Sequence, residues 1–315
     1  MSYPIARLLD SANALVVDRR IGGRQPATSR RAIHAYLQGL PIDPLVGSAM
    51  QLRPRQSGER RGAQIWEAEA GGYQWLASRL PAHGVCNAAV ILLHGWLATR
   101  SQIAFIAGLA APLRRAGIEV WVPRLPGHCE RTPPGAISGE RCLSADLVAT
   151  GEAMRQAVME TNALANWLRR RVGVVGLWGV SLGGWIAALS LTTATTIDAA
   201  VLWTPVADPH DAMWESPLTA PIRAALVDAG VDRDLTGEAF RRYSPGHRRL
   251  RLPSEDVVLI GAQFDNVVNP ESLFELERRW DVPVQWFPHG HISLTCAPRA
   301  RRHARRALRS RLARR

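Results

Sequence analysis

From Ala88 to Phe287 the chain alternates short apolar runs with amphipathic stretches, and no other feature narrows its fold so far. Ala88 to Leu93, Ile118 to Val122, Val172 to Trp178, Ala199 to Trp203, Val257 to Ile260 and Val282 to Phe287 read as short buried strands. Between them, Ile103 to Arg115, Leu147 to Leu168, Trp185 to Leu191 and Glu271 to Arg279 read as helices. Apolar strands separated by helices predict an α/β architecture, a mostly parallel sheet with helices on both faces. In such sheets ligands bind beyond the carboxyl ends of the strands, so the residues just after each strand carry the functional information.

The flanks of this core read differently. Residues 1–60 are expected to form a helical N-terminal extension, with Ile5, Leu8, Leu9 and Ala12 at helical spacing, and the polar stretch Arg53 to Gly62 reads as a loop. The segment AQIWEAEAGGYQWLASRL resembles two strands joined at Gly71-Gly72. Two long connections interrupt the core: one contains RLPGHCERTPPG at 124–135, and the other, 206–250, holds a helix-like piece from Ala220 to Ala229. Connections of that length are expected to be lids, binding segments or surface insertions. The reading therefore divides the chain into the extension (1–60), a core (61–298, with a lid-like insertion around 206–250) and an arginine-rich tail (299–315).

Composition excludes several classes. With 47% hydrophobic and 21% charged residues the chain can bury a sizeable core and is not disordered by composition. No apolar run is long enough for a membrane-spanning helix, and the first twenty residues, interrupted by Asp10, lack the pattern of a signal peptide. Cys86, Cys129, Cys142 and Cys296 form neither a C-x-x-C pair nor a zinc spacing, so free thiols in a reducing cytoplasm are expected, with no metal or organic cofactor. The net charge of +12 is unevenly placed: nine arginines between Arg299 and Arg315, with no acid among them, leave only +3 for the rest. All 39 basic residues are arginine and none is lysine, a compositional bias that weakens any functional reading of one arginine. In the tail, Ala304, Leu308 and Leu312 share one stripe of a helix. A solvated helix or frayed end is the plain reading of it, a peripheral contact with acidic membrane the next, and nucleic acid is not favoured.

The chemistry concentrates at strand ends. In GLWGVSLGGW, Gly179 to Gly183 matches G-x-S-x-G between a strand and a helix, a turn that would project the Ser181 hydroxyl above the sheet. A serine hydroxyl is a weak nucleophile and needs a base, itself oriented by a carboxylate. PHGHISL follows the last strand and offers His289 and His291, of which His291 is the favoured base while His289 could shape the turn. GAQFDNVVNP follows the Val257 to Ile260 strand and supplies Asp265, favoured over Asp208, which reads as a helix cap. Attack on an ester creates an oxyanion that needs backbone donors. The N–H groups of Trp96, in LLHGWLATRS, and of Leu182, next to the nucleophile, are the candidates.

Taken together, HGW, LPGH, GVSLGG, GAQFD and HGHIS, from about Ile65 to Ala297, resemble the α/β-hydrolase family in order and spacing. The resemblance implies that fold, a Ser181–Asp265–His291 triad, and a loop position for LPGH in which His128 is structural or lines a pocket. His94, Gly95, Trp96, Trp178, Trp185 and Trp203 also sit near predicted strand ends or turns, where they could line an acyl pocket or pack the core. The resulting expectation is a cytoplasmic serine hydrolase, peripheral to the membrane if the tail docks there, acting on a carboxylic ester or thioester of a small molecule or lipid. The competing expectation is a non-catalytic relative that docks on membrane or nucleic acid through its basic tail.

Overall fold

The structure, a computed structural model, describes residues 3–22, 25–41, 43, 45, 55–60, 62–70, 72–193 and 196–315. Two helices come first, α1 (Tyr3–Ile21) and α2 (Arg30–Gly39). Then follow β1 (Arg55–Arg60), β2 (Ala63–Ala70), β3 (Tyr73–Leu80), β4 (Ala88–Leu93), α3 (Arg100–Ala110), β5 (Ile118–Pro123), α4 (Leu147–Val172), β6 (Val175–Val180), α5 (Leu182–Leu191) and β7 (Ala199–Trp203). The 206–250 connection contains α6 (Pro209–Glu215), α7 (Ala220–Asp228) and α8 (Arg233–Arg241). The chain closes with β8 (Val257–Ala262), α9 (Pro270–Trp280), β9 (Val284–Phe287), α10 (His291–Leu294) and α11 (Pro298–Leu312).

Among the described residues the strands form one sheet in the order β1-β2-β3-β5-β4-β6-β7-β8-β9. The pairs from β5 through β9 are parallel, and β3, β2 and β1 extend the sheet beyond β5 with every successive pair antiparallel. Strands β4 to β8 are buried along their whole length, which is why they read as unbroken apolar runs rather than alternating ones. The pleat still sorts their side chains. Ile91 and Leu93 of β4 pack with α4, α5 and α9, whereas Val90 and Leu92 pack on the opposite face with α3 and α11.

Three expectations need correction. The stretch Arg53 to Gly62 is not simply a loop: Arg55–Arg60 is an edge strand paired with β2, with a register shift between Gln56 and Gly58. As a polar edge it carries no apolar alternation to betray it. Residues 51–54 and Gly71, the first residue of the expected hairpin turn, lie outside the described residues. Helix α1 forms, but Ile5, Leu8, Leu9 and Ala12 point to solvent, and its inward face is Ala6, Asp10, Ala14, Val17 and Ile21. The arginine tail is not a frayed or merely solvated end: Ala300, Ala304, Leu308 and Leu312 of α11 are buried against the sheet. Its arginines tie it down as well, Arg311 to the Glu255 carbonyl at 2.7 Å, Arg305 to the Leu109 carbonyl at 3.2 Å and Arg314 to Asp256 at 3.2 Å.

Candidate active site

Strand β6 ends at Val180 and α5 begins at Leu182, so the whole reversal falls on Ser181. Its φ of 55° and ψ of −115° lie outside the comfortable regions for an L-residue. A hydrogen bond from the Ser181 N–H to the Trp203 carbonyl, 2.9 Å, ties the turn to the end of β7. The glycines around Ser181 are required by close approach. A Cβ on Gly179 would lie 2.2 Å from the Gly183 carbonyl oxygen, and one on Gly183 would lie 2.3 Å from the Leu93 oxygen. A Cβ on Gly184 would meet Pro205 Cα at 2.8 Å. Helix α5 can therefore start directly against the ends of β4 and β7, which presents the hydroxyl at the carboxyl edge of the sheet.

His291 and Asp265 reach the same point from later strand ends. His291 Nε2 lies 2.9 Å from Ser181 Oγ, and His291 Nδ1 lies 2.8 Å from Asp265 Oδ2. The other carboxylate oxygen, Oδ1, accepts the Val267 and Val268 N–H groups at 2.9 and 2.8 Å, which holds Asp265 in place. This network assigns the proton to Nδ1 and leaves Nε2 as acceptor for the serine hydroxyl. Burial opposes charge on the His291 ring, but Asp265, with a smaller contribution from Asp10, favours the cation. The balance raises its pKa above the ordinary imidazole value. Asp208 does not join this line: it caps α6, accepting the His210 and Asp211 N–H groups at 2.9 and 3.2 Å. His289 also stays out. Its backbone shapes the turn, the carbonyl accepting from the Phe264 N–H and the N–H donating to the Phe287 carbonyl.

The HGW loop lies against the serine, since a Cβ on Gly95 would be 3.7 Å from Ser181 Cβ. Among the described residues, neither the Trp96 nor the Leu182 N–H donates to a protein acceptor, as two oxyanion donors would require. His94 and His128 support this loop. The Leu125 N–H donates to His94 Nε2 at 3.2 Å, His94 Nδ1 pairs with the Gly95 carbonyl at 2.9 Å, and the two rings meet edge to face at 4.8 Å. Burial holds the His94 pKa well below the usual value and pushes that of His128 down to about 4, so both rings are neutral fasteners. The Trp96 indole N–H completes the fastening by donating to the Gly139 carbonyl at 2.8 Å.

A cavity of about 40 Å³ opens beside Ser181 and Leu182, with Trp96, Trp185, Met213, Leu218 and Val267 among its walls. The 206–250 insertion thus covers the serine, with Leu143 of the 124–145 connection also at the wall. Trp96 and Trp185 are the pocket residues among the expected tryptophans. Trp178 and Trp203 stack at 6.0 Å on the α11 face of the sheet and belong to the core, because their strand positions point away from the insertion. His94 and His128 lie behind the cavity wall and do not line it.

A model of the alpha/beta hydrolase family matches residues 90–314. The chain belongs to the alpha/beta hydrolase family. The match runs through α11, so the arginine-rich tail falls within the family's common part. Two uncharacterised proteins from Mycobacterium tuberculosis strains are each 26% identical over 260 residues, 76% of this chain. The chain spans 60% of the length of these curated relatives. Solved structures share the hydrolase fold at low identity. They include acetyl xylan esterase 1 from a Thermoanaerobacterium species, at TM-score 0.58 and 15% identity, covering 88% of this chain and 92% of that one. A cold-adapted esterase from an Arctic intertidal metagenomic library aligns at TM-score 0.57 and 19% identity, covering 82% and 99%. A puromycin hydrolase aligns at 0.55 and 19%, covering 85% and 40%.

One residue of this hydrolase site escaped sequence reading. Asp10 is fully buried and accepts the His291 and Ile292 N–H groups at 2.9 and 3.0 Å. In the sequence it registers only as an acid interrupting an apolar helix, and nothing in the spacing links residue 10 to residue 291. Among the described residues no group of His, Cys, Asp and Glu is arranged to hold a metal ion, and no helix is long and apolar enough to cross a membrane.

Proposed function

We propose that this chain is a serine hydrolase that cleaves short-chain carboxylic esters or thioesters through an acyl-enzyme. The observation that carries this reading is the continuous line from Ser181 Oγ through the His291 ring to Asp265, 2.9 and 2.8 Å per step, bordering an apolar cavity. His291 Nε2 takes the Ser181 proton as Oγ attacks the ester carbonyl carbon. The carbonyl oxygen becomes an oxyanion facing the Trp96 and Leu182 N–H groups, where one good donor contributes roughly 3–4 kcal/mol. Collapse of the tetrahedral adduct breaks the bond to the leaving group, which receives the proton from His291. Water then attacks the acyl carbonyl carbon and gives a proton to the same nitrogen; collapse of this second adduct breaks the bond to Ser181 Oγ, which takes that proton back from His291 as the acid leaves. Asp265 holds the ring in the required tautomer and stabilises the imidazolium formed in both halves.

The cavity supports a size class. About 40 Å³ accommodates a few heavy atoms, a water-sized probe alone needing on the order of 10–15 Å³, so a short acyl group fits beneath the insertion. The esterases among the structural neighbours support this chemistry. Hydrolysis of p-nitrophenyl esters tests the reading. Acetate is expected to turn over faster than octanoate, with a burst of nitrophenolate equal to the enzyme concentration when deacylation is the slower half. Ser181→Ala is expected to lose both burst and turnover. Equal turnover by the alanine variant would reject Ser181 as nucleophile. The tail-docking alternative gains nothing from α11, whose apolar stripe is occupied by the sheet.

A further inference from the structure

We propose that Asp10, on the N-terminal helix, is a positioning residue for His291, so that α1 is part of the active site rather than an appendage to it. The inference rests on the reading of His291 as the general base. It starts from the shortness of α10. This helix has four residues, begins at His291 itself, and leaves its first N–H groups without intrahelical acceptors. Asp10 accepts two of them, one on each carboxylate oxygen: His291 N–H on Oδ2 at 2.9 Å and Ile292 N–H on Oδ1 at 3.0 Å. Charge-assisted bonds of this kind are stronger and shorter than neutral ones, and a bidentate pair fixes direction as well as distance. The residue so held is the one whose ring must meet Ser181 and Asp265 at once.

Two further observations show that α1 is seated here rather than resting loosely. A Cβ on Gly290, directly before the histidine, would lie 2.8 Å from Asp10 Oδ2 and 2.9 Å from the Ala6 carbonyl oxygen. The chain therefore keeps a glycine where α1 presses in. The same helix packs on Pro217–Thr219 of the insertion, and its Tyr3 ring meets Phe264 edge-on at 5.3 Å, one residue before Asp265. Leu218, within the Pro217–Thr219 turn, lines the cavity. One helix thus touches the segments carrying the base, the orienting acid and the pocket wall. Burying a carboxylate is costly unless it is hydrogen-bonded, so a wholly buried Asp10 with these two partners is poorly explained as surface chemistry.

Asp10 also acts through space. The charged groups facing His291 are Asp265, from the loop after β8, and Asp10, from α1; both favour the imidazolium. Burial raises the Asp10 pKa, with Asp265 adding in the same direction, while the two backbone donors and His291 oppose them. Both carboxylate oxygens accept an N–H, the arrangement that suits the ionised form. When His291 takes the serine proton, two carboxylates then face the new positive charge.

The test uses Asp10→Asn, Asp10→Ala and Leu8→Gln in the full chain, the last on the exposed face of the same helix. Thermal midpoint, kcat and KM for p-nitrophenyl acetate, and the pH profile of kcat/KM are measured for each. Asp10→Ala is expected to lower kcat roughly 10- to 100-fold, the range for a displaced catalytic group, with a smaller change in KM. Asp10→Asn keeps the shape and one acceptor and is expected to fall between alanine and wild type. Both are expected to move the acid limb of kcat/KM to lower pH, because that limb reports His291 in the free enzyme and one of its two anions is gone. Leu8→Gln is expected to match wild type. Asp10 variants that keep wild-type kcat and acid limb overturn the proposal. So does a loss of activity that merely follows the thermal midpoint with the acid limb unmoved. Should Asp10→Ala not fold, the isosteric Asp10→Asn decides by the same two readouts. A wild-type chain whose turnover survives Ser181→Ala rejects the underlying serine mechanism instead, and the Asp10 proposal falls with it.

Discussion

At Gly183 the demands of fold and chemistry coincide on a hydrogen atom. A Cβ there would sit 2.3 Å from the Leu93 carbonyl oxygen and 2.6 Å from that of His94, both main-chain atoms that cannot swing aside. Gly183→Ala is therefore expected to push α5 away from β4 and cost about 3 kcal/mol, the upper range for overpacking, with loss of ester turnover. Chemical denaturation of the variant beside its activity checks both. The His291 ring supplies a second prediction at this scale. Only the neutral imidazole can take the Ser181 proton, and Asp265 and Asp10 raise its pKa above the ordinary value against the effect of burial. Activity is expected to rise with pH through that raised value, so the acid limb of kcat/KM should lie higher than a free histidine would place it. A limb at or below the free-histidine position would show that burial wins. Residue-level signals were also the most legible ones in the sequence. Ser181, Asp265 and His291 each follow an apolar strand, and the sheet brings them together at its carboxyl edge. Asp10 was not legible, because its partner is a backbone segment 281 residues away and backbone donors leave no mark on composition.

Among the elements, α11 departs furthest from what its sequence suggests. Its arginines dominate the composition, yet the fold depends on the four small or apolar residues Ala300, Ala304, Leu308 and Leu312, spaced to lie on one face against β6, β7 and β8. Leu308→Ala is expected to cost about 2–5 kcal/mol, as for other fully buried leucines, whereas Arg306→Ala on the exposed face should stay within about 0.5 kcal/mol. Urea unfolding of the two variants distinguishes a packed helix from a solvated tail; equal and small effects would contradict the packed one. The central strands were readable because burial on both faces demands continuous apolar runs. Strand β1 was not, because an edge strand with polar side chains satisfies its backbone through β2 without any apolar pattern. For α1 the helical spacing of Ile5, Leu8, Leu9 and Ala12 marked the helix but not the face it buries. The larger apolar residues Leu8 and Leu15 lie outward, and the first three turns face inward through Ala6, Asp10 and Ala14, small or charged residues that a hydrophobicity pattern does not select; only Val17 and Ile21 at the end of the helix make that face apolar.

For the whole molecule, the sheet gathers distant segments at one edge. The 206–250 insertion roofs that edge, α11 backs the sheet on the far face, and α1 links the insertion to the loops after β8 and β9. The alternation of strands and helices was enough to foresee the sheet and the position of its reactive edge. The walls of the pocket were not foreseeable, since they depend on how Met213 and Leu218 of the insertion come beside Trp96 and Val267 across long chain separations. The account as a whole depends on Ser181 being activated by His291. Incubation with a fluorophosphonate followed by peptide mass analysis tests that most directly. The account predicts one adduct per chain, on the Ser181 peptide, lost in Ser181→Ala and strongly slowed in His291→Ala; no adduct in folded wild-type protein, or one on another residue, would contradict it.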